Sequence, residues 1–430
     1  MVTSPRIRLP LRQGGWALAD QVLSSGTNFV MVIIIARLVG PRLYGSFALA
    51  ISTWLILQGV VRAALIQPFV VEASRQGRSS FRMSTRRASG AVVAIGVLGG
   101  IVMAAIGILL GPRTTEGSAF VTLGILAPFL VLQDFWRFAA FARMRAPAAL
   151  FNDATWAVVQ AAGLVVLAHA AHKTSALAMG AWGAGGGAGA LVGMLQFRLR
   201  PSLSHASLAW LRRISRWGTW FGISSGVYAA ANQVVAVILV ASAGPAALGG
   251  LRAIQTLYGP AQLVAASGDS VALPAGSRQY DAGGYSRLTS FLVLYGGALG
   301  ALLGLYGILL WIVRTPVVHL VLGSRFLQYD NLMLPLSLGL LATAASYSGG
   351  LGLRAVLAGR QLAAAETAAA VVQIVTISIL LHLYGLIGVA WGILITSLFH
   401  STAVWCTYRV VRRRGDRRVV EAEQAEAVGA

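Results

Sequence analysis

Two long apolar runs that meet at a Gly-Pro turn lie near the start of the chain and constrain its fold most strongly. The first run ends at Ile35, the turn contains Gly40 and Pro41, and the second run extends from Phe47 to Val71. A helix of about 20 apolar residues is long enough to cross the hydrocarbon core of a bilayer. The hairpin therefore predicts two membrane helices that meet at one water interface.

The same pattern continues through the chain, which is 57% hydrophobic and 11% charged, with a mean hydropathy of +0.73. Such values are typical of polytopic membrane proteins. Lipid-spanning segments must be helices or closed barrels, and the short alternating strands of a barrel are missing from the pattern. We predict an all-α polytopic membrane protein with about 12 transmembrane helices. The predicted spans are 16–39, 45–71, 88–111, 118–141, 151–171, 175–197, 217–243, 247–272, 288–313, 332–357, 362–383 and 385–408.

The basic residues are concentrated in alternate loops. With the N-terminus inside, 25 of the 34 Lys and Arg residues fall in inner loops or tails, and six fall in outer loops. Because inner loops carry the excess of Lys and Arg, both termini are predicted to be cytoplasmic. A net charge of +21 would suggest nucleic acid in a soluble chain. Here the charges lie between apolar spans, so we predict contact with membrane lipids and no nucleic-acid partner.

An internal repeat divides the chain into two similar halves. Residues 28–45 align without gaps on residues 232–249, and the identities include both Gly-Pro turns. Two halves of six helices with the same topology would be related by an axis along the membrane normal, as in many secondary transporters. We predict an N-terminal six-helix lobe at 1–198 and a C-terminal six-helix lobe at 217–408.

Two further segments complete the predicted domain organisation. In residues 199–216, apolar side chains recur at helical spacing opposite a basic face, which predicts a cytoplasmic helix in the headgroup layer. A plain solvated linker is the alternative. Residues 409–430 turn from basic to acidic and are predicted to form a frayed cytoplasmic tail.

Charged side chains inside membrane spans are costly and frequently functional. Arg62 lies deep in the second span, Arg252 lies in the matching eighth span, and Arg37 lies at the outer mouth. These cations would suit a water-filled cavity between the lobes that receives an anionic group such as a phosphate. The alternative is snorkelling, or pairing with a local carboxylate.

Acidic residues are scarce in the spans. Asp20 is a candidate proton or sodium site, or else a solvated carboxylate at a helix start. Asp134 stands three residues before Arg137, and this spacing predicts a structural ion pair within one helix. Asn28 and Asn232, at repeated positions, are candidate polar residues of the cavity.

Enzyme signatures are missing from the sequence. It has no HExxH motif, no phosphate-binding loop and no nucleophile elbow. Its single cysteine, Cys406, excludes an intrachain disulfide, and its histidines have no metal-ligand spacing. We therefore predict a non-enzyme with no metal and no cofactor.

Three segments along the chain have the pattern of one transporter family. The first is the opening hairpin at 25–48, and the second is 249–274, which has Arg252 near its start and Pro274 at its end. The third is the last hairpin, at 384–392. Together they resemble the polysaccharide flippases of the multidrug/oligosaccharidyl-lipid/polysaccharide (MOP) exporter superfamily, and the resemblance follows the chain nearly from end to end.

This resemblance implies two six-helix lobes, alternating access, and transfer of a lipid-linked oligosaccharide between leaflets. The resemblance also implies that Arg62 and Arg252 bind the lipid diphosphate, with Arg37 as a third position. Lipid II flippases usually have extra helices, and drug exporters of the superfamily favour acidic cavities. The twelve spans and the cationic bias argue against both branches.

The sequence hypothesis is a flippase of the bacterial inner membrane that moves polyprenyl-diphosphate-linked oligosaccharide for exopolysaccharide, capsule or O-antigen biosynthesis. Its expected partners are the lipid-linked oligosaccharide, membrane lipids, and polysaccharide polymerase or assembly proteins. One alternative is an ion-coupled multidrug or small-amphiphile exporter, for which Asp20 or Glu366 should be essential. A membrane enzyme of glycan assembly is a third possibility.

Overall fold

The computed structural model describes residues 11–74, 76–143, 145–202, 204, 207, 209–211, 227 and 230–429, and all regular structure in these residues is helical. In chain order the elements are α1 (Leu11–Val61), a π-helical segment (Arg62–Ile66), α2 (Gln67–Ser74), α3 (Arg78–Leu109), α4 (Thr115–Ala142), α5 (Ala146–His169), α6 (Ser175–Phe197), α7 (Ala230–Ala243), α8 (Pro245–Thr256), α9 (Gly259–Ile312), α10 (Arg314–Val317), a second π-helical segment (Val318–Leu322), a 3-10 helix (Ser324–Leu332), α11 (Met333–Ala355) and α12 (Gly359–Gly429).

Glycines with non-helical backbone angles divide the longest of these helices. Gly40 breaks α1, Gly283 and Gly284 break α9, and Gly385 breaks α12. With these breaks, every predicted span overlaps a described helix, although most of 217–229 lies outside the described residues. Seven described helices, counted without these breaks, are long and apolar enough to cross a membrane. The prediction of an all-α, multi-pass membrane protein is confirmed.

The two Gly-Pro turns of the sequence repeat have the same backbone geometry. Gly40 has φ 76° and ψ 174°, and Gly244 has φ 79° and ψ 167°. Positive φ favours glycine, and the proline that follows suits the first turn of the next helix because it lacks an N–H that would need a partner. The aligned positions 40 and 244 therefore adopt one turn conformation.

The chain divides into two compact units, Met1–Gln233 and Val234–Ala430. We call them unit 1 and unit 2. Most of the predicted interfacial helix at 199–216 lies outside the described residues, so that helix and the lobe boundaries stay predictions. The tail differs from the frayed segment that we expected, because α12 continues to Gly429. Its many Ala, Glu and Arg residues are good helix formers.

Glycines bring the helices of unit 1 close together around α4. A Cβ atom at Gly100 of α3 would collide with the carbonyl oxygen of Gly124 of α4. A Cβ atom at Gly189 of α6 would come within 2.7 Å of Gln133 and 2.9 Å of Asn152. These contacts agree with the expected role of small residues in packing membrane helices. They place α4 and α5 where polar side chains can meet inside the unit.

Candidate functional site

Five charged side chains meet inside unit 1, and we call them the ionic cluster. They come from α1, the first π-helical segment, α4 and α5: Asp20, Arg62, Asp134, Arg137 and Asp153. Four separate stretches of the chain therefore contribute to one site. Charged groups at membrane depth are retained mainly where they pair or contact water, which makes the cluster the leading candidate site of the unit.

Arg62 and Asp134 form a two-pronged ion pair. Arg62 donates from Nε to Oδ2 and from Nη2 to Oδ1 of Asp134, both at 2.6 Å. The Arg62 guanidinium also lies over the ring of Phe138, 5.5 Å from its centroid. The Asp134 side chain is 3% exposed, whereas that of Arg62 is 35% exposed. Water or a ligand can therefore reach the arginine while the carboxylate stays buried.

Arg137 connects α4 to both α1 and α5. Its Nη2 donates to Oδ2 of Asp20 at 2.7 Å, and its Nε lies 3.0 Å from Oδ2 of Asp153. Gln133, one turn earlier on α4, donates to Oδ1 of Asp153 at 3.0 Å and to Oδ1 of Asn152 at 2.9 Å. A single guanidinium thus serves two carboxylates from different helices.

The ionic cluster has one more acid than base. Three carboxylates face two guanidinium groups, so full ionisation leaves one formal negative charge among side chains that are largely buried. Asp20 is 0% exposed, and its Oδ1 accepts no hydrogen bond from the described residues. A buried charge without compensation is costly. Uptake of one proton or one small monovalent cation would neutralise the cluster.

A cavity of about 420 Å3 adjoins the cluster within unit 1. It offers room for water beside four of the charged side chains and three indole rings. The residues that line it are Ser24, Thr27, Asn28, Met31, Val32, Ile51, Trp54, Leu55, Gln58, Arg62, Gln133, Asp134, Arg137, Asp153, Trp156 and Trp182. The cavity is therefore charged at the cluster and lined elsewhere by polar, aliphatic and indole side chains.

One local prediction about the acids is wrong, and one open alternative is excluded. Asp134 pairs with Arg62 and Arg137 pairs with Asp20, so the predicted Asp134–Arg137 pair within one helix is not formed. Asp20 is buried, which excludes the alternative of a solvated carboxylate at a helix start. Asp153 received no role in the sequence analysis, although acidic residues are scarce in the predicted spans. The rarity of acidic residues in membrane spans was by itself a signal of function.

The other candidate residues lie at separate places. Asn28 lines the cavity, and its Nδ2 donates to the Ser24 carbonyl at 2.9 Å. Arg37 is exposed on α1 and does not line the cavity. Arg252 of α8 is half-buried in unit 2, where its Nη1 donates to Oε1 of Gln255 at 3.0 Å. Asn232 is half-buried on α7. The binding roles proposed for these residues stay predictions.

Comparison with known proteins identifies the fold. No protein-family model matches the chain, and no curated protein sequence matches it. Among solved structures, an inward-facing multidrug resistance MATE transporter of the MOP superfamily aligns with a TM-score of 0.70, over 93% of this chain and 99% of its own, at 12% identity. The chain has the MOP-superfamily fold. At such low identity the likeness establishes the fold and leaves the substrate open.

Two more MOP-fold structures give the same result. The lipid II flippase MurJ, in an inward closed conformation, aligns with a TM-score of 0.73 at 13% identity, over 92% of this chain and 87% of its own. The eukaryotic MATE transporter AtDTX14 aligns with a TM-score of 0.59 at 16% identity, over 94% of this chain and 99% of its own. The fold is thus shared with MATE transporters and with a lipid II flippase.

Proposed function

We propose that this chain is an ion-coupled membrane transporter of the MOP fold and that the ionic cluster of unit 1 is its coupling site. One observation supports this most directly: three buried or nearly buried carboxylates share two guanidinium groups beside a cavity. A buried cluster with one uncompensated negative charge inside the membrane favours a bound proton or cation. Asp20, whose Oδ1 accepts no hydrogen bond from the part of the chain that the structure describes, is the proposed ion-binding carboxylate.

Ion binding at Asp20 would weaken the ion pair that joins α1 to α4. When Asp20 is ionised, Arg137 connects α1 to α4. When Asp20 is neutral, Arg137 keeps Asp153 as its anionic partner, and the link to α1 weakens. A two-state element that an ion biases in this way is what alternating access requires. The cluster thereby couples the ion to a movement of the first helix.

For the substrate, we propose a polyprenyl-diphosphate-linked oligosaccharide, carried across the bacterial inner membrane for exopolysaccharide, capsule or O-antigen assembly, with both termini cytoplasmic. Arg62 supports this proposal because its two parallel N–H donors, which bind Asp134 in this structure, match two phosphate oxygens equally well. Diphosphate oxygens compete with Asp134 for Arg62, and Arg252 is a second proposed phosphate ligand. The similarity between the fold of this chain and that of the lipid II flippase MurJ is consistent with a lipid-linked substrate.

A second candidate is the export of cationic amphiphiles or drugs. The formal negative charge of the cluster and the three tryptophans at the cavity, Trp54, Trp156 and Trp182, favour it. Aromatic faces attract organic cations, and a negative site would neutralise them. In this case Arg62 serves only to hold Asp134.

Transport in proteoliposomes tests both candidates. Purified protein is assayed for movement of a fluorescent short-chain polyprenyl-diphosphate glycan and, separately, of ethidium. Each assay is run without a gradient, with an imposed proton gradient and with an imposed sodium gradient. We expect the proton gradient to accelerate glycan movement, and Asp20→Asn to remove that acceleration because the amide cannot take up a proton. The exposed Asp281→Asn variant is the matched control and should retain it.

Two results would contradict the proposal. Glycan movement that ignores both proton and sodium gradients in the wild type would remove the coupling role. Gradient-driven movement of ethidium without any glycan movement would select the drug exporter instead. Loss of transport in Asp281→Asn as well would show that the assay reports general damage.

A further inference from the structure

A second cavity, of about 680 Å3, lies at the end of unit 1 where α3 begins and α6 ends. We call it the arginine pocket. The residues that line it are Arg78, Phe81, Arg82, Arg143, Arg145, Gln196, Phe197, Arg198 and Leu199. Five guanidinium groups thus share one concave site, and none of its lining residues is acidic. Within the described residues, these arginines form no ion pair with a carboxylate.

Aromatic rings form part of the wall of the arginine pocket. The Arg143 guanidinium lies 4.9 Å from the ring centroid of Phe81, and that of Arg145 lies 5.9 Å from the centroid of Phe197. The two rings are buried and lie 6.3 Å apart. Such cation–π contacts orient the guanidinium planes without neutralising them. The arrangement therefore holds positive charge in place.

The backbone uses only a small part of the donor capacity of the pocket. Nη1 of Arg143 donates to the Gln76 carbonyl at 3.2 Å, and Nη2 of Arg82 donates to the Arg198 carbonyl at 3.3 Å. Most N–H groups of the five arginines have no acceptor among the described residues and can bind an anion. Like charges gathered in one cavity repel each other, and a multiply charged anion would relieve this repulsion. Arginine forks match phosphate oxygens especially well.

An apolar strip next to the pocket favours a lipid over a soluble phosphate. Leu191 and Leu195 lie on one face of α6, immediately before the pocket residue Gln196, and Leu195 is 75% exposed. Acyl chains can pack along this strip while a headgroup occupies the cavity. The basic residues of these loops also led us to predict that this end faces the cytoplasm, where anionic headgroups attract such clusters.

We propose that the arginine pocket is a binding site for an anionic phospholipid headgroup, best filled by a lipid with two phosphates. The site is separate from the ionic cluster and does not depend on what the protein transports. A bound lipid would join the first turn of α3, the α4–α5 connection and the end of α6. It would thereby stabilise one end of unit 1 and make stability depend on lipid composition.

Lipid binding by the full-length protein tests this proposal. Protein purified in mild detergent is titrated with cardiolipin, which has two phosphates, and with phosphatidylcholine, and bound lipid is counted by native mass spectrometry. We expect cardiolipin to bind with clear preference and to raise the melting temperature. The R143Q/R145Q variant should bind cardiolipin about 25-fold more weakly, since each basic side chain is worth roughly fivefold at an anionic surface.

A matched control removes the same charge elsewhere. Arg113 and Arg325 are exposed and do not line the pocket, so R113Q/R325Q should retain wild-type cardiolipin affinity. R143K/R145K keeps the charge but loses the paired N–H donors of the guanidinium groups, and we expect an intermediate affinity. If R143Q/R145Q does not fold, R78Q/R82Q replaces it, because both side chains are exposed at the start of α3.

Three outcomes would overturn the proposal. The first is equal binding of cardiolipin and phosphatidylcholine by the wild type. The second is unchanged cardiolipin affinity in the folded pocket variants. The third comes from titration with sodium pyrophosphate: if pyrophosphate alone binds the pocket as tightly as cardiolipin and displaces it, the site takes a soluble phosphate and not a lipid.

Discussion

The pairing of Arg62 with Asp134 decides how the ionic cluster is built. The local spacing of Asp134 and Arg137 on one helix permits an internal pair, and that spacing was the basis of the sequence prediction. Arg62, from another helical segment, instead donates a hydrogen bond to each carboxylate oxygen of Asp134. Arg137 then binds Asp20 and Asp153. Partners that are more than 70 positions apart in sequence cannot be paired by helical periodicity.

Removal of Arg62 should destabilise unit 1, because Asp134 would remain as a buried, uncompensated charge. We expect Arg62→Ala to lower the free energy of unfolding by about 3 kcal/mol, the lower end for broken buried pairs, since water reaches Arg62. Denaturant unfolding in detergent measures this change.

The double variant Arg62→Met/Asp134→Leu separates structure from transport. Replacing both charges should restore most of the lost stability, because no unpaired charge remains. Transport of the diphosphate-linked glycan should stay absent if Arg62 binds substrate. Full transport by this double variant would remove Arg62 from the proposed site.

At the scale of helices and turns, much of the fold could be predicted. The Gly-Pro signal located the turn at Gly40, and the repeat located its equivalent at Gly244, because proline and glycine impose local geometry. The apolar runs located the membrane helices because lipid imposes a minimum length and a high hydropathy on each span. The π-helical turn at Arg62–Ile66 has no comparable local signature, although it determines where Arg62 lies. Its position could not be read from periodicity.

The turn at Gly244 gives a clean test of backbone strain. Gly244 has φ 79°, and a Cβ atom there would meet nothing within 4 Å, so Gly244→Ala changes conformational energy alone. We expect unit 2 to lose about 1–3 kcal/mol, the usual cost of a strained backbone position. The control is Gly339→Ala within α11, where a Cβ atom is also unobstructed and φ is helical. That change should stabilise the protein slightly, and equal destabilisation of both variants would contradict the argument.

For the whole molecule, the sequence predicted the class and the helix pattern because lipid imposes length and hydropathy on every span. The MOP-like fold class suggested by the resemblance is confirmed by the structural comparisons. The cargo is a different matter. Solved structures of this fold include a multidrug transporter and a lipid II flippase, so cargo depends on individual side chains and not on architecture.

Orientation in the membrane is testable on the intact chain. The concentration of basic residues in alternate loops predicts that both termini are cytoplasmic. A fluorescent protein fused after Ala430 should fluoresce, and alkaline phosphatase at the same position should be inactive. Phosphatase inserted after Arg113, in a predicted outer loop, should be active. The opposite pattern at either position would mean that the order of the spans is wrong.

The π-helical turn that begins at Arg62 holds one residue more than an ordinary helical turn of the same height. Deleting a single residue from it would restore regular winding and rotate the guanidinium by about 100° relative to the following helix. The charge would then leave its carboxylate without any change in residue identity. The proposed coupling site can therefore be dismantled by a shift in helical phase alone.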